Sequence, residues 1–138
     1  MIYKTYEEYK NRYYMTQQNY NDLLTEKERL FVRTQPNAIR YDKLNVKSSP
    51  NSNVLEDYVI EKEKKQLDRR IAEMKVLLDD RRNLMLLKEA ELRKSKDMYD
   101  RIYTMRYLED MSVERIAKKV NYSVSQVYRI LTKIIASL

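Results

Sequence analysis

Ser112-Val113-Glu114-Arg115-Ile116-Ala117-Lys118-Lys119-Val120-Asn121-Tyr122-Ser123-Val124-Ser125-Gln126-Val127-Tyr128-Arg129-Ile130-Leu131 carries the punctuation of two short helices joined by a tight turn. Ser112 is placed to cap a helix Val113 to Val120, with Arg115 where a capping box would want glutamate. Ile116 and Val120 fall on one face, and Ala117 is small enough to let a second helix cross closely. Asn121 stands where the turn needs a left-handed residue, and asparagine is the best substitute for glycine there. Tyr122 is expected to pack into the turn and Ser123 to cap the next helix. Val127, Ile130, Leu131 and Ile134 form the apolar face of that helix. This is the pattern of a helix-turn-helix unit.

The unit predicts its own chemistry. The second helix should lie in a DNA major groove with its N-terminal half against the bases. Gln126 suits two hydrogen bonds to adenine and Arg129 two to guanine. Ser123, Ser125, Tyr128 and Lys133 share the DNA-binding surface, while Val124 or the Thr132 methyl suits a thymine methyl. Lys118 and Lys119, on the first helix, suit backbone phosphates. From Val113 to Leu138 five basic residues face one acidic residue, Glu114, a net of +4 out of +7 for the chain. Each of these side chains also has an ordinary reading as solvated surface.

Upstream, Met98 to Glu109 reads as a further helix, with Ile102, Met105, Arg106 and Leu108 completing a three-helix core for a domain at 98–138. A long helical arm, 54–97, precedes it. Ile60, Leu67, Ile71, Met74, Leu78, Met85 and Leu92 fall largely on a seven-residue stripe, interrupted by Lys64, Arg81 and Lys88. Asp79-Asp80 marks a potential break in the arm. Charges nearly cancel there, 12 basic against 11 acidic between Asn51 and Asp97, as on a solvated helix face. Ser52 or Asn53 is placed to cap the arm. Residues 34–53 read as a connector holding both prolines, Pro36 and Pro50. Residues 1–33 read as a tyrosine-rich helix with Tyr6, Tyr9, Tyr13, Tyr20, Leu24, Lys27 and Phe31 on one face. That stripe reads first as packing and second as a platform for stacking unpaired bases. The two long helices are expected to fold into an antiparallel hairpin. Pairing with a second copy, a homodimer through the arm, is the competing use of the same stripe.

Composition agrees with an all-α chain and excludes several chemistries. Glycine is absent, so there is no glycine-rich phosphate loop. Cysteine and histidine are absent, which removes the usual zinc ligands, thiol nucleophiles and Ser-His dyads. No catalytic residue, cofactor or metal site is expected. No apolar run approaches the roughly 20 residues that span a bilayer, and no signal core opens the chain. The expectation is a cytoplasmic protein with no membrane partner.

The runs Tyr103 to Glu109, Ser112 to Ala117 and Tyr122 to Leu131 resemble region 4 of sigma-70-type factors. More narrowly, they resemble the small sigma-like regulators of phages and prophages in Gram-positive bacteria, the ArpU-like and RinA-like group. Ile39 to Pro50 is similar to the linker of that group. The resemblance implies double-stranded DNA as partner, host RNA polymerase as a second, and activation or direction of phage transcription in a bacterial cell. It places DNA contact on Ser125, Gln126, Arg129 and Lys133. The N-terminal part does not resemble the sigma region that melts DNA. The alternative expectation is a helical interaction module that binds polymerase or another protein without reading DNA.

Overall fold

The structure, a computed structural model, describes residues 1–33 and 50–138, and of Arg33 and residues 50–55 the backbone alone. Five α-helices account for nearly all of it: α1 (Ile2–Arg33), α2 (Pro50–Lys94), α3 (Met98–Tyr103), α4 (Val113–Val120) and α5 (Val124–Ser137). A π-helical turn, Thr104–Leu108, prolongs α3. There is no strand among the described residues. Of the expected connector, 34–53, residues 34–49 lie outside the described residues, as does the linker resemblance carried by Ile39 to Ser49, while residues 50–53 belong to α2 and not to a connector.

Two expectations about α2 are corrected. The helix begins at Pro50, so Ser52 and Asn53 lie within its first turn and do not cap it. Proline suits that position, because its missing N–H would have no partner there anyway. The helix also runs unbroken through Asp79-Asp80. Neither residue is proline or glycine, and Lys75 pairs with Asp79 one turn away at 3.6 Å.

The chain divides into two compact units, and each long helix contributes to both. Unit 2, residues 15–79, is an antiparallel pair made from parts of α1 and α2. Leu23, Leu30 and Leu67 are buried at its centre, with Ile60, Ile71 and Met74 packed against them. Lys27 pairs with Asp68 at 3.0 Å, and Lys75 lies 5.8 Å from the centre of the Tyr20 ring. The α2 stripe is therefore used as expected. The α1 stripe is shifted: Leu24 and Phe31 are exposed, while Thr16, Leu23 and Leu30 are buried. Steps of four from Tyr20 to Leu24 and Lys27 to Phe31 drift off a straight seam. Tyr13, Thr16, Tyr20, Leu23, Lys27 and Leu30 alternate steps of three and four and stay on it.

Unit 1, residues 1–14 and 80–138, holds the larger core. Ile102, Ile116, Ala117, Val120, Val127, Leu131 and Ile134 are buried together, as the sequence implied, but Val113, Tyr3, Tyr6 and Leu92 belong to the same cluster. The expected three-helix core is thus completed by the first turns of α1 and the end of α2. Arg106 is exposed, a correction: its guanidinium leaves the core and donates to the Met111 carbonyl at 3.0 Å.

Candidate nucleic-acid interface

The paired helices α4 and α5 are built by local signals that act as the sequence indicates. The Ser112 hydroxyl accepts from the Arg115 N–H at 3.3 Å and starts α4. Asn121 ends α4 in the left-handed region, φ 58° and ψ 38°. The Tyr122 N–H then reaches back to the Ala117 carbonyl at 3.0 Å, the long closing bond of a Schellman-type end. Asp110 is the other left-handed residue among those described, at φ 51° before α4. With no glycine in the chain, both positive-φ sites fall to Asn and Asp, the residues that tolerate them best. Ser123 starts α5 through a full capping box: its hydroxyl accepts from the Gln126 N–H, and the Gln126 side chain accepts from the Ser123 N–H at 2.9 Å.

Burial then sorts the faces. Ala117 is 4% exposed and lies in the same core cluster as Val127, Leu131 and Ile134 of α5. Val127, Leu131 and Ile134 are buried, and Ile130 packs at the edge. The other face of α5 is exposed at Val124, Ser125, Gln126, Tyr128, Arg129, Thr132 and Lys133. Ser125, Arg129 and Lys133 recur every four residues and so follow one row down the helix. Lys118 and Lys119 are exposed on α4, and Ser123 is exposed in the turn. Arg115, Lys118, Lys119, Arg129 and Lys133 form no ion pair among the described residues. Glu114 is the one acidic residue in α4 and α5, against five basic ones.

Gln126 has a structural role that sequence reasoning missed. Its side-chain oxygen accepts from both the Ser123 N–H and the Ser123 hydroxyl, the latter at 3.2 Å. Bidentate pairing with adenine needs that oxygen as an acceptor. Gln126 can read a base only by giving up part of its capping box. The signal was legible, since Ser123 and Gln126 stand at the three-residue spacing of such a box.

No family model, curated protein or solved structure matches the chain. Among the described residues no group of acidic side chains could hold a metal ion, and no helix is long and apolar enough to cross a membrane.

Behind α3 to α5 lies a support that the sequence did not announce. The Asp100 carboxylate, 1% exposed, accepts from the backbone N–H of Ile2 at 3.2 Å and of Tyr3 at 3.0 Å, and from the Ser95 hydroxyl at 2.7 Å. It closes the N-terminus of α1 from 97 or more residues away, so no local capping pattern could reveal it. Tyr103 stacks on Tyr3 at 5.5 Å and meets Tyr6 edge-on at 6.2 Å. The Tyr3 hydroxyl shares a 2.8 Å hydrogen bond with Ser137 on α5, and the Tyr103 hydroxyl donates to Glu7. Burial first, and then the Glu7 carboxylate, hold the Tyr103 hydroxyl well above the usual tyrosine range. Burial also raises Tyr6, helped by Glu89 and Glu7.

Proposed function

We propose that this chain is a sequence-specific DNA-binding transcriptional regulator in which α4 and α5 act as a helix-turn-helix, with α5 read into the major groove. The observation that carries the reading is the exposed row Ser125, Arg129 and Lys133 on a helix whose opposite face is buried. A second support is the set of five basic residues with no ion-pair partner among the described residues. Arg129 reads a guanine edge, Ser125 and Tyr128 assist, and Lys118, Lys119 and Lys133 hold phosphates. The Ser123 hydroxyl keeps its capping role. The resemblance to sigma region 4 and to small phage regulators extends the proposal to transcription alongside a bacterial host polymerase in the cytoplasm.

Duplex binding measured by fluorescence anisotropy over a series of salt concentrations tests this. Each neutralised phosphate adds a slope near −0.9 in log K against log salt, so about three to five contacts give a steep line. Exposed Val124, Tyr128 and Ile135 favour a second reading, a module that binds a protein without reading DNA. A flat salt response selects that second reading.

A further inference from the structure

In unit 2 the antiparallel pair leaves an open groove whose floor is Leu30 and Leu67 and whose rims are Glu26, Arg29, Glu63 and Arg70. The four charged side chains are exposed, and none has an ion-pair partner among the described residues. A helix pair with a single seam buries few residues, and among the described residues Leu23, Leu30 and Leu67 form its buried cluster, with Ile60, Ile71 and Met74 packed against them. Helices in proteins gain most of their stability from packing of an apolar face, so a further layer over the groove would add to a thin seam.

The charges say what that layer is. Lys27 is level with Asp68 and Tyr20 with Lys75, which fixes the register of α1 on α2. On α1, the midpoint of Glu26 and Arg29 falls between Lys27 and Glu28. On α2, the midpoint of Glu63 and Arg70 falls between Gln66 and Leu67. In that register the two midpoints lie within about one residue, roughly 1.5 Å, of the same level. Each helix thus carries a plus and a minus placed symmetrically about one shared centre. This suits a two-fold interface, in which every contact occurs twice with the partners exchanged.

We propose that this groove is the face through which two copies of the chain associate, with a two-fold axis crossing both helices at the level of Leu67. Each helix lies antiparallel on its own copy. Glu26 meets Arg29 of the second copy, Glu63 meets Arg70 of the second copy, and the two Leu67 side chains close the floor beside the axis. The interface is independent of the DNA reading and stands or falls without it.

Sedimentation equilibrium of the full chain, without DNA, is the test. The expected species is a reversible dimer of twice 16.9 kDa. Arg29→Glu replaces two attractive pairs by two repulsive ones and weakens association roughly tenfold or more. Glu26→Arg does the same with the opposite sign. Mixing the two single variants restores association, because each supplies the charge the other lacks. Helix content by circular dichroism stays unchanged, since all four positions are exposed. A chain that remains monomeric at about 100 µM overturns the proposal and leaves the groove to a different helix. A dimer indifferent to Arg29→Glu, or variants that fail to associate on mixing, overturns it equally.

Discussion

Replacing Asp100 by alanine removes a carboxylate that holds three donors from two distant parts of the chain. The Tyr3 N–H lies in a buried bond, the Ile2 N–H in a partly buried one, and the Ser95 hydroxyl can turn toward water. A buried donor left without a partner costs about 1–3 kcal/mol, and the lost charge at the positive end of α1 adds roughly 0.3–1 kcal/mol. With one fully buried orphan and one partial one, Asp100→Ala should destabilise by about 2–5 kcal/mol. That is a large share of the roughly 5–15 kcal/mol of an ordinary domain. Asp100→Asn keeps one acceptor oxygen and should fall between the two. Urea unfolding followed by circular dichroism gives the free energies. Amide exchange at Ile2, Tyr3 and their neighbours locates the loss. A change below about 0.5 kcal/mol for Asp100→Ala, or exchange unaltered at the start of α1, would refute the reasoning.

Ala117→Leu should cost about 1–3 kcal/mol by overpacking the α4 and α5 contact, and should weaken binding to every duplex alike; thermal unfolding and anisotropy check this. Gln126→Ala opens the capping box and should lower stability by about 0.5–1 kcal/mol in the absence of DNA, measured by urea unfolding, whereas a residue used solely for base reading would leave stability unchanged. Tyr103 and Tyr6 have hydroxyls raised above the tyrosine range, so their stabilising contribution is full below about pH 10 and is lost as pH rises beyond it. Tyr103→Phe removes one such proton, so unfolding free energy above pH 10 should fall less steeply, by up to about 1.4 kcal/mol per pH unit, than in the parent.

The parts legible in the sequence are those written locally. Ser112, Asn121 and Ser123 act within three or four residues of themselves, so their caps and turn could be read from spacing. Val127, Leu131 and Ile134, and the α2 seam through Leu67 and Leu78, follow helical period and are buried as that period implies. What escaped reading is non-local or conditional. Asp100 meets Ile2 and Tyr3 only through the fold, and Tyr3 meets Ser137 at the far end of the chain. Arg106 looked like a core neighbour by position, yet its guanidinium stays at the exposed surface, where its charge is hydrated, and bonds the Met111 carbonyl. In α1, exposed Leu24 and Phe31 are as apolar as buried Leu23 and Leu30, so the seam was set by step length and not by residue type. Gln126 combined two legible signals, a cap partner and a base reader, and side-chain geometry was needed to see that they compete.

The proposed function has α5 reading bases while α4 holds the backbone. It is tested most directly by titrating Arg129→Ala and Lys118→Ala against a preferred duplex, selected from random sequence, and a scrambled one. Arg129→Ala should lose about 1–3 kcal/mol on the preferred duplex and little on the scrambled one. Lys118→Ala should weaken both nearly equally and reduce the salt slope by about one unit. Equal losses on both duplexes for Arg129→Ala would contradict the account.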